Sequence, residues 1–318
     1  MNLMPHDSET TTQPRSKLER NLDEAFVWLT KIFALSIAGI LIWITVVVAI
    51  EALPAIEKFG GEFLFSTNWN PVDDEYGALP QLYGTLITSL IALILAAPIG
   101  LGVAIFLSED FLPNRLQLAL VFLVELLAAI PSVVYGLWGI FVLVPILKEL
   151  GIWLHSNFNW IPIFSSPPSA TGLGIFPSGV VLTIMILPTI ASLSRDALNS
   201  LPPDLRQASL GLGATRWETI IQILVPAAFS GIVGAIMLAL GRALGETMAV
   251  TMIIGNANKI SPSILTASNT VASLLANQFA EADKLQISAL MYAALMLFFM
   301  TLVVNILAEV LIRRVQRI

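Results

Sequence analysis

Two charged residues, Arg242 and Glu246, lie four positions apart in the apolar stretch ALGRALGETMAV. On a continuous helix this spacing would place both side chains on the same face. A guanidinium stays charged when it leaves water and can bind two oxygens of phosphate or sulfate at once. A carboxylate repels a fully deprotonated anion but accepts a hydrogen bond from one that still carries a proton, as phosphate does at neutral pH. The pair therefore predicts a pathway that favours phosphate over sulfate.

The surrounding chain is typical of an integral membrane protein. Of its 318 residues, 56% are hydrophobic and 12% are charged, whereas soluble proteins carry about 25% charged residues. A charge at the centre of a membrane helix costs about 2.5–3.5 kcal/mol, so such charges usually face the bundle interior or a pathway. A self-neutralising pair that serves packing alone is the other interpretation of Arg242 and Glu246.

The fold class predicted is an all-α, polytopic membrane protein. A helix needs about 20 apolar residues to cross a bilayer, and internal prolines such as Pro98 and Pro131 are tolerated in the runs that qualify. We expect a polar N-terminal tail over 1–24 and one transmembrane domain over 25–318. The six predicted spans are 26–50, 82–107, 117–147, 175–198, 220–254 and 286–312.

The positive charges predict the orientation, because lysine and arginine are enriched in short cytoplasmic loops. They concentrate before the first predicted span and after the second, fourth and sixth. Both termini are therefore predicted to be cytoplasmic. The acidic loop 51–80 and the loop 150–174 are predicted to face outward, as is 255–285, which has the sequence of a capped helix.

Several classes of site are excluded or disfavoured by composition. The sequence has no cysteine, and its two histidines, His6 and His155, are far apart. We expect no metal site, no cofactor and no nucleic-acid partner. No Gly-Lys dipeptide occurs, so the chain has no P-loop for ATP. The chain is therefore not expected to bind ATP in the Walker manner. We expect it to be a transport subunit and not an enzyme.

The cytoplasmic loop LPPDLRQASLGLGATRWE predicts a short helix near 202–214. Pro202 and Pro203 suit a first helical turn, and Gly211 and Gly213 can end the helix. The residues that follow have the Thr-x-x-Glu spacing of a capping box. An ordinary amphipathic connector would share these features.

This loop resembles the EAA loop of ABC importer permeases. The resemblance rests on Gln207-Ala208-Ser209, Gly213 and the terminal ILVP, with Gln207 in place of the usual Glu and Ser209 in place of the second Ala. It implies that Gln207, Ala208, Ser209 and Gly213 belong to a coupling helix that docks on an ATP-hydrolysing subunit. Small residues there would allow a partner surface to approach closely.

The stretch 187–256 also resembles the PstC-type permeases of phosphate-specific ABC importers. It contains SRDAL, RQASLGLGATRWET and ALGRALGETMAV. The resemblance implies the type I permease fold of ABC importers in a bacterial inner membrane. It also implies a homologous second permease, two ATPase subunits, an external phosphate-binding protein, and a role for Arg242 and Glu246 in phosphate passage.

Glu125, in LVELLAAIPS, is a third charge expected at membrane depth and a third candidate for the substrate pathway. Pairing with Arg242, contact with a partner permease and a position nearer the membrane surface all remain open. Near the cytoplasmic end of the fourth span, Arg195 and Asp196 are interpreted as a solvated helix end or as part of an inner gate.

Three other functions are compatible with parts of this pattern. An importer of another oxyanion, such as sulfate or molybdate, would use the same arginine. A secondary transporter would use Glu246 as a proton relay and would work without an ATPase. A regulatory membrane subunit would have no pathway of its own. The coupling-loop pattern favours the ATP-driven importer over the secondary transporter.

Overall fold

The computed structural model describes residues 17–315, which are almost entirely helical apart from one small hairpin. The chain divides into two units, 1–50 and 51–318. The helices are α1 (Lys17–Phe59), α2 (Leu79–Ser108), α3 (Asn114–Ala129), α4 (Ser132–Trp138), α5 (Val144–Phe158), α6 (Ile175–Asn199), α7 (Pro203–Gly211), α8 (Arg216–Glu218), α9 (Val225–Ala227), α10 (Phe229–Gly245), α11 (Met248–Ile253), α12 (Val271–Gln278) and α13 (Lys284–Val315). Strands β1 (Trp69–Asn70) and β2 (Glu75–Tyr76) pair antiparallel.

The first unit contains the N-terminal part of α1. Its start at Lys17 confirms the helix expected before the first span, and most of the predicted tail 1–24 lies outside the described residues. Large apolar side chains are exposed along this part, among them Leu35 at 72% and Trp43 at 69%. Such a helix suits contact with lipid, because its exposed side chains are apolar and its backbone polar groups bond to one another within the helix.

The core of the second unit is the pair α2 and α6, which pack together more extensively than any other described elements. Their interface contains small residues that let the backbones approach. A Cβ built on Gly100 would lie 2.9 Å from Cγ2 of Ile190, and one built on Gly179 would lie 2.7 Å from Cγ2 of Ile91. Close approach through small residues is how membrane helices gain packing energy without a hydrophobic driving force.

The predicted span 117–147 is wrong in its boundaries. Ile130 and Pro131 are extended, with ψ 128° and 139°, so α3 ends at Ala129 after 16 residues. The physical cause is local, since a residue that precedes proline is pushed out of the α region. The helix long enough to cross a membrane is Ser132–Phe158, which continues from α4 through a π-helical turn at 139–143 into α5.

The predicted span 220–254 is also not one helix. It bends by 69° between Arg216–Ala227 and Phe229–Gly245. A second interruption follows Gly245, because Glu246 is extended with ψ 124° and α11 begins only at Met248. Five helices of the described chain are long and apolar enough to cross a membrane, and the bent pair makes six if it counts as one span.

The segment 255–285 folds back onto the start of α2, and the capped helix expected there is confirmed as α12. The hydroxyl of its N-cap, Thr270, accepts the N–H of Ser273. Gln81 and Asn269 both donate to Oδ1 of Asn258, at 3.0 and 2.9 Å. These hydrogen bonds hold the segment close against α2.

The start of α6 is tied to the end of α11 by one backbone hydrogen bond and to the segment 255–285 by two. Gly174 N–H donates to Ile253, Ile175 N–H to Thr266 and Phe176 N–H to Ile264, at 2.9, 3.1 and 2.9 Å. The first N–H groups of a helix have no partner inside it. Here the segment that follows α11 supplies carbonyl partners around this end of α6.

An aromatic cluster packs the hairpin against the start of α13. Phe63 stacks on Tyr292 at 4.4 Å between ring centroids, and Trp69 meets Tyr76 edge-on at 5.0 Å. Burial of the Tyr76 phenol, with smaller contributions from Asp283 and Asp74, raises its pKa to about 12. The ring therefore stays neutral over the whole physiological pH range.

Candidate functional site

Arg242 lies in the last turn of α10 and is half-buried. Its Nη1 donates to Oγ1 of Thr189 at 3.4 Å, and Thr189 is close to the midpoint of α6. The neighbouring Ala239 and Ala243 belong to a buried cluster with Ile190. The guanidinium is therefore level with the middle of the best-packed helix of the bundle.

Glu246 does not share a helix face with Arg242, contrary to the expectation from their spacing. The helix ends between them, and the Glu246 carboxylate accepts the N–H of Ala249 in the first turn of α11, at 3.3 Å. Both residues are described, and no ion pair within 4.0 Å joins them. The interpretation as a self-neutralising pair therefore finds no support in the structure.

The two charges instead complement two helix ends. The C-terminal end of a helix carries partial negative charge and the N-terminal end partial positive charge. Arg242 lies in the last turn of α10, and Glu246 precedes the first turn of α11. Non-helical backbone at membrane depth is tolerated where protein covers it or where it lines a water-filled cavity. The break thus leaves a charged, hydrogen-bonding segment in an apolar bundle.

Glu125 lies near Arg195 and not near enough to Arg242 for a pair. Its Oε1 is 3.8 Å from Nη2 of Arg195, which also donates to Oδ1 of Asp196 at 2.9 Å. The Arg195 side chain is 16% exposed, whereas that of Glu125 is 56% exposed. In this conformation Glu125 therefore lies beside Arg195 and does not pair with Arg242, and the Arg195 side chain is mostly buried.

The local structure predicted for the loop 201–218 is confirmed. Helix α7 begins at Pro203 and ends at Gly211. Gly213 has φ +91°, and Ala214 N–H donates to the carbonyl of Ser209 at 3.2 Å, which closes the helix end in the manner of a Schellman motif. Thr215 and Glu218 form the predicted capping box.

Ser209 does not present its side chain for a partner to approach. It is 3% exposed, and its hydroxyl lies 2.9 Å from that of Thr219. Gln207, Ala208 and Gly213 are exposed. Helix α7 therefore has an outer face that a partner can reach and an inner face bonded to its own chain.

Residues 96–317 match the family described as binding-protein-dependent transport system inner membrane component. The chain belongs to this family of transport permeases. A phosphate transport system permease protein PstC of Haemophilus influenzae is 45% identical over 93% of this chain and 95% of its own length. A probable PstC of Methanocaldococcus jannaschii is 35% identical over 95% and 97%. The resemblance to PstC-type permeases is confirmed.

Solved structures show the same fold in more distant permeases. A bacterial ABC transporter involved in the import of the acidic polysaccharide alginate matches with a TM-score of 0.57 at 15% identity, over 94% of this chain and 99% of the other. An inward-facing MetNI methionine ABC transporter matches with a TM-score of 0.53 at 19% identity, over 73% and 93%. The expected type I permease fold of ABC importers is confirmed.

The structure adds polar partners that the sequence did not reveal. Thr189 contacts Arg242, Glu109 pairs with Arg206, and Thr219 contacts Ser209. The pair Glu109 and Arg206 is separated by 97 positions, so no local spacing signals it. Thr189 follows Pro188 inside an apolar helix that also contains Thr183, so its residue type alone does not signal a role.

Proposed function

We propose that this chain is the transmembrane permease subunit of an ATP-driven phosphate importer. Phosphate is the substrate because curated relatives that span most of the chain are phosphate transport permeases. The observation that carries the proposal is the half-buried guanidinium of Arg242 at the level of the α6 midpoint, beside a break in the helix. An arginine inside a membrane span costs free energy, so such a residue usually marks a substrate pathway.

The pathway would run past Arg242, with a homologous second permease supplying its other half. The guanidinium would take two oxygens of the passing phosphate, since it is weakly hydrated and remains charged. Glu246 would accept the proton of hydrogen phosphate and repel sulfate. Its carboxylate holds only one backbone N–H at 3.3 Å among the described contacts, so an oxygen remains for substrate.

Glu125 would act further along the pathway through Arg195. Arg195 lies six residues beyond Thr189 on α6, which is about 9 Å along a helix. A carboxylate beside this arginine lowers its attraction for an anion that has passed Arg242. Phosphate would therefore be guided without being held tightly.

The coupling surface would be the outer face of α7, with Gln207, Ala208 and the Gly213 corner accessible to an ATPase subunit. Two ATPase subunits would dock, one on this chain and one on the second permease, while a phosphate-binding protein would deliver substrate to the opposite face. Both termini and α7 would be cytoplasmic, as the distribution of lysine and arginine predicts.

Uptake by the complete transporter in proteoliposomes tests the proposal. The vesicles would contain this chain, the second permease and the ATPase, with ATP inside and the binding protein outside. We expect Arg242→Ala to abolish phosphate uptake while basal ATP hydrolysis continues. We expect Arg242→Lys to retain a small fraction, because lysine keeps the charge but lacks the fork. Arg115→Gln, at an exposed site in the first turn of α3, is the matched control.

Full phosphate uptake by Arg242→Ala at normal assembly would remove Arg242 from the pathway. Displacement of phosphate by excess sulfate would instead favour a general oxyanion importer. Phosphate transport by the isolated chain under a pH gradient, without ATPase, would favour a secondary transporter. Unchanged uptake by vesicles that lack this chain would leave it a regulatory role.

A further inference from the structure

The inner face of the coupling helix α7 borders a cavity of about 310 Å³, whose other wall is the turn between α2 and α3. Glu109 and Asp110 line it from the turn, and Arg206 and Leu210 line it from α7. The cavity is therefore lined by two acidic residues, Glu109 and Asp110, and two basic ones, Arg206 and Arg216, at the junction between the coupling helix and the bundle.

Arg206 and Glu109 form a directional ion pair across this junction. Nε and Nη2 of Arg206 both donate to Oε1 of Glu109, at 3.1 and 2.9 Å. The two side chains are only 24% and 17% exposed. Because two N–H groups of one guanidinium donate to the same carboxylate, the relative orientation of the two side chains is restricted as well as their distance. Partial burial also reduces the screening of this ion pair by salt.

The same guanidinium reaches a third segment. Nη2 of Arg206 also donates to the carbonyl of Leu198, at 3.2 Å. Leu198 is in the last turn of α6, and Glu109 directly follows α2. One arginine on α7 thus contacts the cytoplasmic ends of the two helices that form the core of the bundle.

Further contacts connect these ends of α2 and α6 to Arg242. Helices α2 and α6 are closely packed along their interface, so a displacement applied at their ends moves them together. Thr189 of α6 carries the hydrogen bond from Arg242. Next to Arg206, Gln207 also borders the cavity, and both Gln207 and Ala208 are exposed where a partner subunit can reach them.

We propose that Arg206, held by Glu109 and the Leu198 carbonyl, is the positioning residue that makes α2 and α6 follow the coupling helix when the ATPase moves it. The inference rests on the proposed function, because it assumes that an ATPase engages α7. Without the ion pair, α7 remains attached through Ser209 to Thr219 and can still dock. It then moves without displacing α2 and α6 to the same extent.

The test measures phosphate transported per ATP hydrolysed by the complete transporter in proteoliposomes. We expect Arg206→Gln to lower this ratio about tenfold, within the range of typical coupling energies between sites, while ATP hydrolysis continues. Glu109→Gln lowers it in the same way. The double variant is no worse than Arg206→Gln alone, because that variant has already lost the ion pair together with the hydrogen bond to the Leu198 carbonyl.

A charge exchange separates coupling from folding. Arg206→Glu combined with Glu109→Arg restores an ion pair across the junction, and we expect it to recover a measurable part of the ratio that Arg206→Glu alone loses. Arg115→Gln, an exposed cytoplasmic arginine near the same turn, leaves the ratio unchanged. Incomplete assembly reduces uptake and hydrolysis together and so does not alter the ratio.

Three results would overturn the inference: an unchanged ratio in Arg206→Gln, additive effects of the two single variants, or a charge exchange that is no better than Arg206→Glu alone. Failure of the proposed function has a different signature, because the unmodified transporter would then show no ATP-dependent phosphate uptake. The double-mutant cycle is needed, since spatial intermediacy alone does not establish coupling.

Discussion

The proposed coupling loop, residues 201–218, and the Arg242–Glu246 segment are both short irregular parts of one membrane bundle. Local residues determine the conformation of the first, and distant contacts determine that of the second. In the coupling loop every bend has its cause within a few residues, from Pro203 in the first turn of α7 to φ +91° at Gly213. The break after Gly245 has no proline and no positive φ at the break itself. Distant contacts position the helix that follows it.

The contacts that position α11 come from α4 and from the start of α6. A Cβ on Gly136 would lie 2.6 Å from Sδ of Met252 and 3.3 Å from Cα of Ala249. Gly174 N–H donates to the carbonyl of Ile253 at the end of α11. Local signals therefore specify the loop 201–218, and tertiary packing specifies the segment around Arg242 and Glu246.

The largest expected effect is that of Gly136→Val, a change remote in sequence from the break. The added side chain overlaps Met252 and Ala249, so α11 must shift, at a cost of about 1–3 kcal/mol for overpacking. We expect phosphate uptake to be lost while the ATPase still binds α7. Gly102→Val is the control, because a Cβ there meets nothing within 4 Å. Normal uptake by Gly136→Val would show that α4 does not set the break.

Two substitutions of Glu246 distinguish the role of its hydrogen bond from the role of its charge. Glu246→Gln keeps an oxygen for the N–H of Ala249, so we expect the break to persist while sulfate begins to compete with phosphate. Glu246→Ala also loses the hydrogen bond, at a cost of about 1 kcal/mol, and uptake falls further. Competition by sulfate in proteoliposomes is the measurement. Equal selectivity in the glutamine variant and the unmodified chain would confine Glu246 to a structural role.

In the coupling loop, Gly213→Ala should have a moderate and local effect. An L-residue at φ +91° is strained by about 1–2 kcal/mol. We expect tryptic cleavage at Arg206 and Arg216 to accelerate at least about fivefold, since cleavage follows the population of the opened loop. Gly211→Ala, without positive φ and with open space at its Cβ, should not accelerate it. Identical rates in both variants would contradict a Gly213-specified corner.

The smallest expected effect is that of Gly241→Ala beside Arg242. The sequence suggests that Gly241 and Gly245 allow close helix packing, but a Cβ on either meets nothing within 4 Å in this chain. We expect unchanged uptake and a stability change within about 0.5 kcal/mol. A strong loss of uptake would mean that the second permease packs against this face.

The sequence predicts the apolar spans and the coupling loop because hydropathy and capping are local properties. Pro131 also carries a local signal, since a residue before proline leaves the helical region, and α3 accordingly ends at Ala129 inside the predicted span 117–147. The break at Glu246 and the pair of Arg206 with Glu109 depend on residues far apart in the chain. One sequence without its relatives carries no information on which distant side chains meet.

The backbone bonds at the start of α6 have a consequence for alternating access. Gly174, Ile175 and Phe176 donate to carbonyls spread over 253–266, so the end of α11 and the segment after it are tied to the first turn of α6. An outward opening that separated them would break all three backbone hydrogen bonds. We therefore expect an opening to carry the start of α6 and residues 253–266 together, with the 69° bend near Ala228 as the hinge.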